Sequence, residues 1–100
     1  MKTLILCKSD MAELLNLVEV MNVVEQAFRD YTGGRGQMPP KVYIHLEKGD
    51  FRAMPSALPG AVGVKWVNVH PRNCELGLPT VMGVMIYSDP DSAYPLAIME

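Results

Sequence analysis

Little in this chain announces a chemistry at first sight. It has two cysteines, Cys7 and Cys74, and two histidines, His45 and His70. None of the four stands at metal-ligand spacing with another, so no metal site is expected. Two reduced thiols in a cytoplasmic protein are the expectation, rather than a disulfide. Charge of neither sign dominates: nine basic residues against eleven acidic ones leave a net charge of -2. That excludes the basic footprint of a nucleic-acid binder and any strong pull to an anionic membrane surface. No apolar run approaches the length of a membrane span. The opening Met1-Lys2-Thr3-Leu4-Ile5-Leu6-Cys7 is too short for a signal-peptide core and turns charged at Lys8. Gly33, Gly34 and Gly36 follow a helical pattern instead of opening one, so no phosphate cradle is visible. No nucleophile elbow and no cysteine–histidine–acid set can be composed.

What is present is an ordinary globular composition, with 49% hydrophobic and 20% charged residues. One hundred residues hold one small domain or a piece of a larger one. Thr3 to Cys7 reads as a short buried strand. Asp10 followed by Glu13 resembles a capping box and opens a brief helix through Leu15. Asn16 followed by Glu19 repeats that signal. Leu17, Val20, Met21, Val24, Ala27, Phe28 and Tyr31 then recur at helical spacing, and Gly33-Gly34 ends the helix. Its charges are mixed in sign, so it is expected to face a core and not a membrane.

Pro39-Pro40 forces an extended path into Lys41–Lys48, where Val42, Ile44 and Leu46 alternate with Tyr43, His45 and Glu47. A turn at Lys48-Gly49-Asp50 sends Phe51–Pro55 back as the second arm of a hairpin. Ala61–His70 and Thr80–Tyr87 are strands that are apolar on both faces, and Tyr94–Met99 is a last short one. The class is therefore α+β, with N-terminal helices packed on a mostly antiparallel sheet. One substantial helix covers only one face. A partner chain or a further domain is expected over the other. The stop at Met99-Glu100, directly after an apolar run, reads as a truncation.

Two cations stand inside apolar strands. Arg52 lies between Phe51 and Ala53-Met54, and Lys65 between Val64 and Trp66-Val67. A cation so placed needs an anion nearby. Lys65 is either a lysine snorkelling to solvent or an ammonium that binds a ligand carboxylate and moves a proton. Arg52 either pairs with Glu47 across the hairpin or grips a ligand carboxylate with two parallel hydrogen bonds. Taken alone, Lys41 is a solvated charge, Thr80 is unremarkable, His45 is a surface residue and His70 a structural one.

The segments QMPPKVYIHLEKGDFRAMP, VKWVNVHPRN and GLPTVMGVMIYSDPDSAYPLAIME, in that order, resemble the N-terminal part of the ornithine cyclodeaminase/mu-crystallin family. The likeness runs over essentially the whole chain. It implies a dimeric NAD(P)-dependent enzyme acting on amino acids or imines. Such an enzyme has a substrate-binding and dimerisation domain, here residues 1–100, and a Rossmann domain that lies outside them. It further implies that Lys41 and Lys65 bind the substrate carboxylate, with Lys65 also a catalytic candidate in proton transfer. Met54 would line the substrate pocket, and Thr80 would touch the cofactor. The sheet would be shared across a homodimer.

Position 52 departs from the cyclodeaminase pattern, which has a glutamate suited to ornithine's distal amine. Arg52 instead resembles the family's archaeal alanine dehydrogenases, where it would join Lys65 on a 2-oxo or 2-amino acid. Ornithine cyclisation is the alternative within the family. A non-catalytic dimerisation or ligand-binding module, with no tight cofactor affinity, is the alternative for the 100 residues alone.

Overall fold

The computed structural model describes all residues from Met1 to Glu100. Its elements run β1 (Leu4–Leu6), α1 (Lys8–Leu14), α2 (Leu17–Thr32), β2 (Val42–Leu46), β3 (Gly49–Leu58), β4 (Ala61–Val69), β5 (Val81–Ser88) and β6 (Pro95–Met99). A 3-10 turn at Asn73–Leu76 lies between β4 and β5. The strands form one six-stranded sheet in the order β1-β6-β5-β4-β3-β2. Four neighbouring pairs are antiparallel, and β1 lies parallel to β6.

The helix signals resolve in different ways. Asn16 caps α2 as expected, its side chain accepting from the Glu19 N–H at 3.1 Å. For α1 the capping residue is Cys7 and not Asp10. The Asp10 carboxylate reaches back to the Cys7 N–H at 2.9 Å, so Asp10 fills the third helical position of the box. The Lys8 N–H is taken by the Glu100 carboxylate at 2.9 Å, and Leu6 O accepts from the Glu100 N–H. Both chain ends are thus fastened at the β1–β6 edge. The Thr3–Cys7 segment does form a strand, but Leu4 and Ile5 are exposed there and not buried.

The hairpin is longer than the sequence suggests. Leu46 pairs with Gly49, leaving Glu47-Lys48 as the turn, and β3 runs on to Leu58. Residues paired across a ladder share a face of the sheet. One face carries Val42, Ile44, Phe51, Ala53, Trp66, Asn68, Val84, Ile86 and Ile98. The other carries Tyr43, Arg52, Met54, Lys65, Val67, Met85, Tyr87 and Ala97. The alternation in the sequence assigns both sets correctly.

Coverage is where the structure departs from expectation. Only Val67, Asn68 and Ala97 are buried. Helix α2 buries no residue. It meets the sheet at β3, where Ala27, Phe28 and Tyr31 face Met38 and Leu58 around a cavity of about 290 Å³. Most of its apolar residues, Leu17, Met21, Val24, Phe28 and Tyr31 among them, stay exposed. The first face is open as well: Ile44, Trp66, Met82, Val84 and Ile86 are each about 40–50% exposed.

A candidate carboxylate site on the sheet

Strand alternation places the candidate cations on the second face. Met54 pairs with Lys65, and Lys65 with Met85. One row along, Tyr43 pairs with Arg52, and Arg52 with Val67. Lys41 lies two residues before Tyr43, just ahead of β2, so the same alternation carries it toward this face. Arg52 and Lys65 are diagonal neighbours across the β3–β4 ladder, with Cβ atoms about 7 Å apart for such pairs. Four of the five residues singled out from the sequence therefore share one region.

Arg52 meets an anion supplied by the chain itself. Its Nε donates to Asp50 Oδ1 at 2.8 Å and its NH2 nitrogen to Asp50 Oδ2 at 3.2 Å. The partner is Asp50, and not Glu47 across the hairpin. Both side chains are partly covered, with 28% of Arg52 and 20% of Asp50 exposed. The guanidinium carbon sits 5.1 Å from the centre of the Tyr43 ring, a cation–π arrangement. Tyr43 in turn stacks on His45 at 5.6 Å. The hydrogen bond from Arg52 holds the Asp50 carboxyl below the ordinary carboxylate range, and the same bond raises Arg52. Asp50 was not foreseen as part of the site. The signal was available, because residues two apart on a strand share a face.

Lys65 is different. It is half-buried on a central strand and joins none of the four ion pairs. With Met54, Ser56, Met85 and Tyr87 it lines a shallow cavity of about 150 Å³. An ammonium beside a small, mostly apolar hollow can fix one carboxylate of a small molecule while the rest of that molecule meets the methionines.

Thr80 is not brought into this group. It precedes β5, whereas Lys65 faces Met85, five residues further along that strand. At strand rise that separation is about 16 Å. Thr80 instead belongs to a polar clamp. Its carbonyl accepts from the His70 N–H at 2.9 Å and from the Asn68 amide at 3.4 Å. The Asn68 side-chain oxygen accepts from the Met82 N–H at 2.8 Å. The Asn68 amide nitrogen also lies 2.9 Å from His70 Nδ1, which is therefore the acceptor.

The residues here do not compose a dinucleotide site. The one strand-to-helix turn beside a parallel pair, at Cys7, has no glycine. The first N–H groups of its short helix are occupied by the carboxylates of Asp10 and Glu100. There is no cluster of metal-ligating side chains, and no helix is long and apolar enough to cross a membrane.

The fold and its second face define a class: an α+β domain with an open sheet that carries Arg52 and Lys65 side by side on one face. Comparison with known proteins narrows it. The profile of the ornithine cyclodeaminase/mu-crystallin family matches residues 1–100, and the chain belongs to that family. It is 54% identical over 100 residues to an alanine dehydrogenase of Archaeoglobus fulgidus, covering all of this chain and 31% of that protein. Among solved structures it superposes on an archaeal alanine dehydrogenase dimer with bound NAD. That match has a TM-score of 0.95 and 55% identity, over 99% of this chain and 31% of the other. It also superposes on the Δ1-pyrroline-2-carboxylate reductase of Thermococcus litoralis, in complex with NADH and L-proline. There the TM-score is 0.94 and the identity 36%, over 98% of this chain and 32% of the other. The chain thus spans about a third of the length of these relatives and corresponds to their N-terminal, non-Rossmann part.

Proposed function

We propose that residues 1–100 are the N-terminal substrate-binding and dimerisation segment of an NAD(P)-dependent amino-acid dehydrogenase of the alanine dehydrogenase type. The observation that carries this is Lys65, a half-buried ammonium without an anionic partner beside a cavity of small-molecule size. A substrate carboxylate completes it. Lys41 adds positive charge on the same face, the free edge of Arg52 adds hydrogen-bond donors, and Met54 shapes the hollow. Lys65 both anchors the carboxylate and is placed to move a proton at the neighbouring substrate nitrogen or oxygen. A guanidinium at position 52 disfavours a second amine, so a monoamino acid or its 2-oxo acid fits better than ornithine.

NAD or NADP, held by the remainder of such an enzyme with Thr80 at its margin, would take up the substrate's Cα hydride. Hydrolysis of the resulting imine would release ammonia and the 2-oxo acid. Two open apolar surfaces support a homodimer and a second domain as the covering partners, in a cytoplasmic enzyme. In the longer polypeptide, Lys65→Met is expected to abolish NADH formation from alanine. Unchanged turnover would refute the assignment. Ammonia release from ornithine without NADH formation would instead favour a cyclodeaminase. The 100-residue chain alone is expected to act as a binding module, and saturable NADH binding to it would contradict that.

A further inference from the structure

We propose that Asp50 sets the specificity of the carboxylate site, by holding one edge of Arg52 and by placing a fixed negative charge behind it that turns dicarboxylates away. The inference rests on the carboxylate-site reading above and names the residue that tunes it.

A guanidinium has two edges that can each take a carboxylate with two parallel hydrogen bonds. Asp50 occupies the edge formed by Nε and one NH2 nitrogen. No hydrogen bond uses the remaining nitrogen, NH1, and the guanidinium rests on the Tyr43 ring. Held by a carboxylate on one edge and an aromatic face, Arg52 offers a single preset edge to a ligand. A ligand carboxylate there faces Asp50 across the guanidinium at about 6 Å, the span of two carboxylates bridged by one arginine. The Arg52–Asp50 pair has no net charge, so net attraction on this face comes from Lys65 and Lys41. A monocarboxylate is accepted. A second carboxylate at the free edge of Arg52 meets a guanidinium already neutralised by Asp50 and adds repulsion from that carboxylate.

The size of that repulsion follows from Coulomb's law. One extra unit charge about 6 Å from Asp50, in a solvent-screened site with an effective dielectric between about 40 and 80, is disfavoured by roughly three- to tenfold. Asp50 acts on a monocarboxylate in two opposed ways. Orienting Arg52 favours binding, and the negative charge opposes it. The decisive readout is therefore a ratio.

The test uses pyruvate and malonate, which have the same number of carbons and differ by one charge at neutral pH. Each is titrated into the protein and followed through the Arg52 Nε–H resonance and the Lys65 neighbourhood by NMR. The wild-type chain is expected to prefer pyruvate. Asp50→Asn, close in shape but uncharged, is expected to lower the pyruvate-to-malonate preference about three- to tenfold. It should also broaden the Arg52 Nε–H signal, which the carboxylate protects. Asp50→Glu restores the charge and should restore most of the preference, whereas a merely structural effect of the Asn substitution would weaken both ligands together and leave their ratio unchanged. An unchanged ratio in Asp50→Asn overturns the proposal while leaving the carboxylate site intact. Failure of wild-type Arg52 and Lys65 to respond to pyruvate overturns both.

Discussion

The open apolar face makes a quantitative prediction about self-association. A monomer of 11.1 kDa has an accessible surface of about 5,700 Å² by the usual scaling. This chain exposes 7759 Å², an excess of about 2,000 Å² over that scaling. An excess of that size is what an obligate partner covers. Trp66 lies centrally on the face, between Ala53 and Val84 in the ladders and stacked on Phe51 at 5.1 Å. It is 42% exposed, which leaves about 100 Å² of a tryptophan to cover. At about 25 cal/mol per Å² that is ~2.5 kcal/mol per copy, and about twice that in a two-fold dimer, where the residue counts once from each side. Trp66→Ala should therefore raise the dimer dissociation constant by about three to four orders of magnitude. Sedimentation across nanomolar to micromolar concentration reads this directly, with Leu76→Ala, off the sheet, as the control that leaves association unchanged. Far-UV circular dichroism checks that the variant keeps its strands. A wild-type monomer at micromolar concentration would refute the reasoning, and so would a Trp66→Ala dimer as tight as wild type.

Two further predictions concern stability. The Asp50 carboxyl is held below its ordinary pKa by Arg52, so the pair's contribution is complete above the unfolded-state value, about 3.9. It fades as the pH falls through the lower folded value. Arg52→Gln should thus be less stable than wild type in urea at neutral pH, with the gap closing toward strongly acidic pH. A gap independent of pH would contradict the pairing. Asn68→Ala should cost about 1–3 kcal/mol, because the Met82 N–H loses its side-chain acceptor inside the sheet and Thr80 O loses a donor. In thermal unfolding that corresponds to a drop of at least about 4 °C, and a loss below about 0.5 kcal/mol would show the clamp to be dispensable.

Much of the architecture was legible because it follows from local periodicity. Alternation alone separated Val64 and Trp66 from Lys65 and Val67, and the register keeps them apart. Helix α2 announced its boundaries through Asn16 and Gly33, since caps are decided by neighbouring backbone groups. The pairing of β1 with β6 was not legible. Its partners, Leu4 and Ala97, stand at opposite ends of the chain, and a three-residue strand has no period long enough to report direction. Nor could the sequence show that Leu17, Met21 and Trp66 stay exposed on these elements. An apolar stripe reads alike whether it meets its own chain or another.

The site divides along the same line. That Arg52 and Lys65 each needed an anion followed from their apolar neighbours, without any structure. Which anion was a question of neighbouring positions in the sheet, and the two cations answer it differently. Asp50 stands two residues before Arg52, where the pleat brings both side chains to one face, and it takes the near edge of the guanidinium. No residue stands in the equivalent place for Lys65: Gly63 two positions back has no side chain, and Val67 two positions on is apolar. The cross-strand neighbours Met54 and Met85 are apolar too. The same-face positions beside Lys65 on its own strand and directly across from it on both neighbours thus carry no carboxylate. An unpaired, half-buried ammonium is tolerated where a ligand completes it; on the proposed function the substrate's anion would lie at Lys65, leaving Arg52 to judge what else the substrate carries.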